Sequence, residues 1–100
     1  MTTVTLPVKH LHPIEHLTPA TLDALAARLA DYRTAEPAVR HVYWGIFVNM
    51  LDARLADAWH PQPWRTARAV ANALAKESDL SLPRMIEGWN AHAARVARAA

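Results

Sequence analysis

Three histidines fall within one short stretch: His10, His12 and His16. Pro13 opens a turn between them, which lets His12 and His16 share a face, as coordination of zinc or a similar ion requires. Glu15 is the only carboxylate nearby, and His41, His60 and His92 are scattered, so structural or solvent-exposed histidines are the plainer reading of the cluster. The chain has no cysteine, which removes thiolate metal sites, iron–sulfur clusters, disulfides and cysteine nucleophiles. Its serines, Ser78 and Ser81, stand where a turn should precede the last helix, and helix capping accounts for both without a catalytic role. There is no glycine-rich phosphate loop and no H-E-x-x-H motif, and no pair of acids departs from a helical surface pattern. The residues therefore predict neither a catalytic group nor a cofactor, and the chain is read as non-enzymatic.

Tryptophan is the second chemical signal, with four in 100 residues. Trp59-His60-Pro61-Gln62-Pro63-Trp64 places two of them around a stiff connection between helices. Their simplest role is to close the core at those helix ends. If either ring is exposed, it becomes an anchor for a partner, because a rigid aromatic side chain buries a large area at low entropic cost. Trp64 with Arg65 and Arg68 could also stack on a nucleobase.

These groups must be positioned by helices. Four X-Pro steps, Thr18-Pro19, Glu36-Pro37, Gln62-Pro63 and Leu82-Pro83, divide the chain, and proline is at home in a first helical turn, where its missing N–H would lack a partner anyway. The spacing predicts a first helix over 19–33, with Thr18 as N-cap, Leu22, Leu25, Leu29 and Tyr32 on one face, and Asp23, Arg28 and Asp31 outside. A second helix over 37–59 carries apolar residues around nearly its whole circumference and must be surrounded. The third, over 63–77, turns Trp64, Ala67, Ala71 and Leu74 inward; the fourth, from Pro83 onward, turns in Ile86, Trp89, Ala93 and Val96. Gly45 and Gly88, the only glycines, both fall inside predicted helices, so helix ends must be set by proline and polar residues. Gly45, beside Trp44, either lets another helix approach closely or simply weakens its own.

Residues 1–17 read as an extended arm in which Thr3-Val4-Thr5-Leu6-Pro7-Val8 alternates polar and apolar types as a strand does. It packs along the helices or pairs with another chain. The arm lacks the basic start and continuous apolar run of a signal peptide, and the longest apolar run, Val42 to Leu51, is about half a bilayer span, so a cytoplasmic protein with no membrane partner is expected. With 52% hydrophobic and 20% charged residues the chain is not of disordered composition, and its length suits one core. Charge summed by twenties runs 0, 0, −1, +1 and +2, so a modest basic excess sits in the last forty residues.

Ala75, Leu80 and Ser81, within Leu74 to Ile86, resemble the helix-turn-helix of phage-repressor-like regulators, in which an alanine, a tight turn and a hydrophobic–serine pair precede the recognition helix. The resemblance covers about 16 residues and implies DNA binding, with Arg84 and Glu87 facing the groove. Asp79 stands where that family has a turn glycine, and Gly88 where it has a core residue. A second resemblance, of Thr3 to Pro7 followed by helices, is to ribbon-helix-helix repressors, although about a dozen residues intervene here before the first helix.

The sequence thus predicts an all-α protein: a compact bundle of about four helices at 18–100, preceded by the arm at 1–17. The function read from it is a helical interaction or regulatory module that binds a protein partner, a second copy of itself included. Tyr43, Trp44, Phe47, Met50, Trp59 and Trp64 are its candidate contacts, because helix two has more apolar surface than three other helices easily cover. The alternative is a DNA-binding regulator whose phosphate contacts are Arg65, Arg68, Lys76, Arg84, Arg95 and Arg98. The third reading is metal binding at His10, His12 and His16.

Overall fold

The computed structural model describes residues 11–99, which form four α-helices and no strand: α1 Pro19–Thr34, α2 Arg40–Asp57, α3 Pro63–Lys76 and α4 Leu82–Ala99. The all-α bundle read from the sequence is the observed architecture. The strand-like stretch from Thr3 to Val8 lies outside the described residues, and residues 11–18 lead into α1 without helix or strand.

Helix starts follow local chemistry. Thr18 caps α1, its Oγ1 accepting the Thr21 amide at 3.1 Å, with Pro19 in the first turn. Ser81 does the same for α4, its Oγ accepting from the Arg84 amide at 3.3 Å. Helix α2 begins three residues later than the Glu36-Pro37 step suggests. There the chain first closes a turn, the Val39 amide donating to the Glu36 carbonyl at 3.0 Å, and Val39 offers no side-chain cap.

The end of α2 is unusual. The His60 amide donates to the Leu55 carbonyl at 2.9 Å and the Trp59 amide to that of Ala56 at 3.1 Å, the paired bonds of a Schellman motif. That motif requires a left-handed residue, usually glycine. Here it is Trp59, at φ 63°. Neither proline nor a polar residue ends this helix, contrary to the sequence expectation; the bulkiest side chain takes the glycine position.

The helices pack in the cyclic order α1–α2–α3–α4, with α4 closing back on α1. The core is built from Leu25 and Leu29 of α1, Phe47, Val48, Leu51 and Leu55 of α2, Ala67, Val70, Ala71 and Leu74 of α3, and Leu82 of α4. Arg33 ties α1 to the end of α3, donating to the carbonyls of Leu74, in the last helical turn, and of the C-cap Glu77 at 2.9 Å each. Gly45 and Gly88 would each accept a Cβ into open space, so none of the described helices exploits a close approach at Gly45.

The segment before α1 is fastened to α4. Ile14 is buried in the core, and Asn90 grips its backbone at both ends: the Ile14 amide donates to Oδ1 at 2.6 Å, and Nδ2 donates to the Ile14 carbonyl at 3.0 Å. The His12 carbonyl accepts the Trp89 indole N–H at 2.8 Å and faces His60 Nε2 at 3.2 Å.

Candidate interaction surface

Helix α2 presents two apolar sides, and the described residues cover only one. Phe47, Val48, Leu51 and Leu55 are buried against α1 and α3, and Trp44 packs against Tyr32 of α1 with ring centroids 5.1 Å apart. On the other side Val39, Val42, Tyr43 and Ile46 remain 44%, 48%, 37% and 44% exposed. At 100° per residue these four, with Met50 and Ala53, fall on one arc about 120° wide centred on Ile46. No charged residue lies on that arc between Val39 and Ala53. The strip is about 20 Å long at 1.5 Å per residue, and its area of a few hundred Å² is that of the largest apolar patch on an ordinary soluble domain, a patch that often serves a function.

The sequence-predicted contact residues divide accordingly. Tyr43 lies on the exposed strip, and Met50 is half-buried at its edge, packed against the core. Phe47 is a correction: it has no exposed surface and is a core residue, because it sits on the side of α2 that α1 and α3 cover. Trp44 is half-buried and committed to Tyr32. Val39, Val42 and Ile46 were not among the predicted contacts. The signal lies in their i, i+3, i+4, i+7 spacing with Tyr43, set off from the core stripe at 44, 47, 48, 51 and 55.

The two tryptophans expected to close the core lie outside it. Trp64 is 47% exposed and forms one wall of a groove of about 300 Å³ between α2 and α3, with Gly45, Asn49, Arg68 and Asn72. The Arg68 guanidinium carbon lies 5.8 Å from its ring centroid, a cation–π distance. Trp59 is 88% exposed beside a separate cleft lined by Pro13, Glu15, His16 and His60.

The histidines do not gather into a metal centre among the described residues, where no group of three or more potential ligands occurs. His10 lies outside those residues. The His12 and His60 rings meet edge-on with centroids 6.0 Å apart, and His16 faces Glu15 at 3.5 Å. His60 Nδ1 accepts the Gln62 amide at 3.0 Å, which assigns the ring proton to Nε2, the nitrogen that faces the His12 carbonyl. Burial holds the pKa of His60 below the usual histidine value, and His12 pushes the same way, against the stabilising hydrogen bond to the His12 carbonyl.

Arg65, Arg68, Lys76, Arg84, Arg95 and Arg98 are all exposed, and among the described residues none takes part in an ion pair. Arg65, Arg68, Asn72 and Lys76 share one face of α3, a helix with no acidic residue. Lys76 and Arg84 border one cleft at the α3–α4 turn. Residues 77–81 separate these helices, a longer link than the three or four residues of a helix-turn-helix, and Ala75 is exposed. Among the described residues no helix is long and apolar enough to cross a membrane. Compared with protein-family models, characterised proteins and solved structures, the chain matches none.

Proposed function

We propose that the protein is a non-enzymatic helical interaction module that receives the apolar face of another protein helix along the outward strip of α2. The observation that carries this reading is the continuous exposure of Val39, Val42, Tyr43 and Ile46 on one uncharged arc. A straight ridge one helix wide, with residues at 3- and 4-residue intervals, is the surface that a second helix packs on by ridges and grooves. A flat or irregular partner would leave much of so narrow a strip in contact with water.

The test is a photoreactive amino acid placed at Ile46 or, as a control, at Ala26 on the exposed side of α1, in cells that express the full chain. A discrete protein adduct from position 46 that is absent from position 26 supports the reading. The same adducts from both positions, or none from position 46, overturn it.

A second reading, duplex DNA as partner, is favoured by one observation: the aligned Arg65, Arg68 and Lys76 on a helix without acids. Binding to duplex DNA should weaken steeply as salt rises, because each phosphate contact releases condensed counterions. No detectable binding at low salt removes it.

A further inference from the structure

We infer that the helix received on this strip is α2 of a second copy, packed antiparallel with the twofold axis at Ile46. The inference rests on the reading of the α2 strip as an association surface and names its occupant.

The strip suits its own reversal. With Ile46 opposite its twin, an antiparallel partner sets Val42 opposite Met50, Tyr43 opposite Asn49 and Val39 opposite Ala53. The large residues of one end thus meet smaller or flexible ones of the other, and the pairing carries no charge along its length. A twofold interface repeats each of these contacts about the axis, and the small area of the strip suits a weak dimer.

The ends supply the charge match. Glu36 and Arg40 flank the Val39 end, and Arg54 and Asp57 flank the other, joined to each other at 3.3 Å. In the antiparallel register Asp57, at the end of α2, lies just beyond the first turn of the partner helix, beside the link that precedes it. The Arg40 guanidinium is turned back toward that link, donating to the Ala35 carbonyl at 3.0 Å. Asp57 therefore faces Arg40 across the axis, and Arg54 faces Glu36. A parallel pair would instead bring Asp57 against Asp57 and Arg40 against Arg40, so the charges select the antiparallel arrangement.

The experiment is sedimentation velocity of the full chain over a concentration series, with disulfide mapping made simple by the absence of cysteine. A dimer with a dissociation constant of about 1–100 μM is expected, in keeping with a small interface. Ile46→Glu, at an exposed position, should give a monomer with an unchanged circular dichroism spectrum. Asp57→Arg should weaken association about tenfold or more, and adding Arg40→Asp should restore most of it. Under mild oxidation Ile46→Cys should cross-link to itself. Val39→Cys should cross-link to Ala53→Cys in a mixture and not to itself, since those ends stand about 20 Å apart on one helix. Protein that stays monomeric at every concentration, a Val39–Val39 cross-link, or a dimer insensitive to Ile46→Glu overturns the inference. Monomeric protein whose position 46 photo-cross-links to a different polypeptide overturns the self-association alone and leaves the association surface standing.

Discussion

Asn90→Ala should be among the most damaging polar substitutions in the chain. It removes both hydrogen bonds that grip Ile14, the one at 2.6 Å and the one at 3.0 Å. Each bond contributes about 0.5–1.5 kcal/mol net, and Ile14 is buried, so its freed amide and carbonyl gain little water in return. The loss has a ceiling, because the segment can lift off instead, giving up the burial of the Ile14 side chain at about 1.5–3 kcal/mol. The expected cost is therefore about 2–3 kcal/mol, roughly 10–20 °C in midpoint for a chain of this size. Urea unfolding followed by far-ultraviolet circular dichroism reads it. Ile14→Ala should cost a similar amount, and the double variant clearly less than the sum, since both substitutions undock the same segment. Asn90→Asp adds a check on geometry: it keeps an acceptor for the Ile14 amide but turns an oxygen toward the Ile14 carbonyl. It should therefore recover stability on acidification, when a protonated carboxyl can donate. A loss under about 0.5 kcal/mol in Asn90→Ala, or full additivity with Ile14→Ala, would refute the clamp.

Trp59→Gly should be neutral or stabilising by up to about 1 kcal/mol, since it relieves a left-handed residue and gives up almost no burial; the 3–5 kcal/mol loss of a buried tryptophan, read by the same urea titration, would show that the ring is packed. His60 is neutral in the fold with a lowered pKa, so the unfolded chain binds its proton first. Stability should fall as pH drops below about 6.5 toward the folded pKa, and this component should vanish in His60→Gln, measured as urea midpoints between pH 8 and 5. Gly45→Ala and Gly88→Ala should each stabilise by about 0.5–1 kcal/mol and add nearly in full, because both added methyls enter open space within helices; thermal midpoints check this, and a loss at Gly45 would mean that something closes on that side of α2.

Most of the bundle was readable from prolines and leucine periodicity. Thr18-Pro19 and Gln62-Pro63 open α1 and α3 where the sequence predicts, because proline and a hydroxyl cap act within one turn of themselves. Pro37 misleads by three residues, since a proline suits a turn as well as a first helical turn, and here the turn wins. The surplus of apolar residues on α2 was also visible, but not which of them would be left over. That depends on which side α1 and α3 occupy, so the sequence alone points to Phe47 as a surface contact and not to Ile46. The attachment of residues 12–14 to Trp89 and Asn90 left no periodic trace at all, because it joins side chains to a backbone far away in sequence.

That attachment also constrains how the chain is made. The bonds between Ile14 and Asn90 span 76 residues, so the first described segment to leave a ribosome docks on a helix synthesised well after it. At about 5–20 residues per second, Ile14 waits on the order of 4–15 s for Asn90 to be added, and longer for α4 to clear the exit tunnel. Once Asp57 has been added α1 and α2 can pair, but the seat for Ile14 still has no clamp. The nascent chain therefore carries the Ile14 segment undocked until α4 has been added, later than α1 and α2 can find each other.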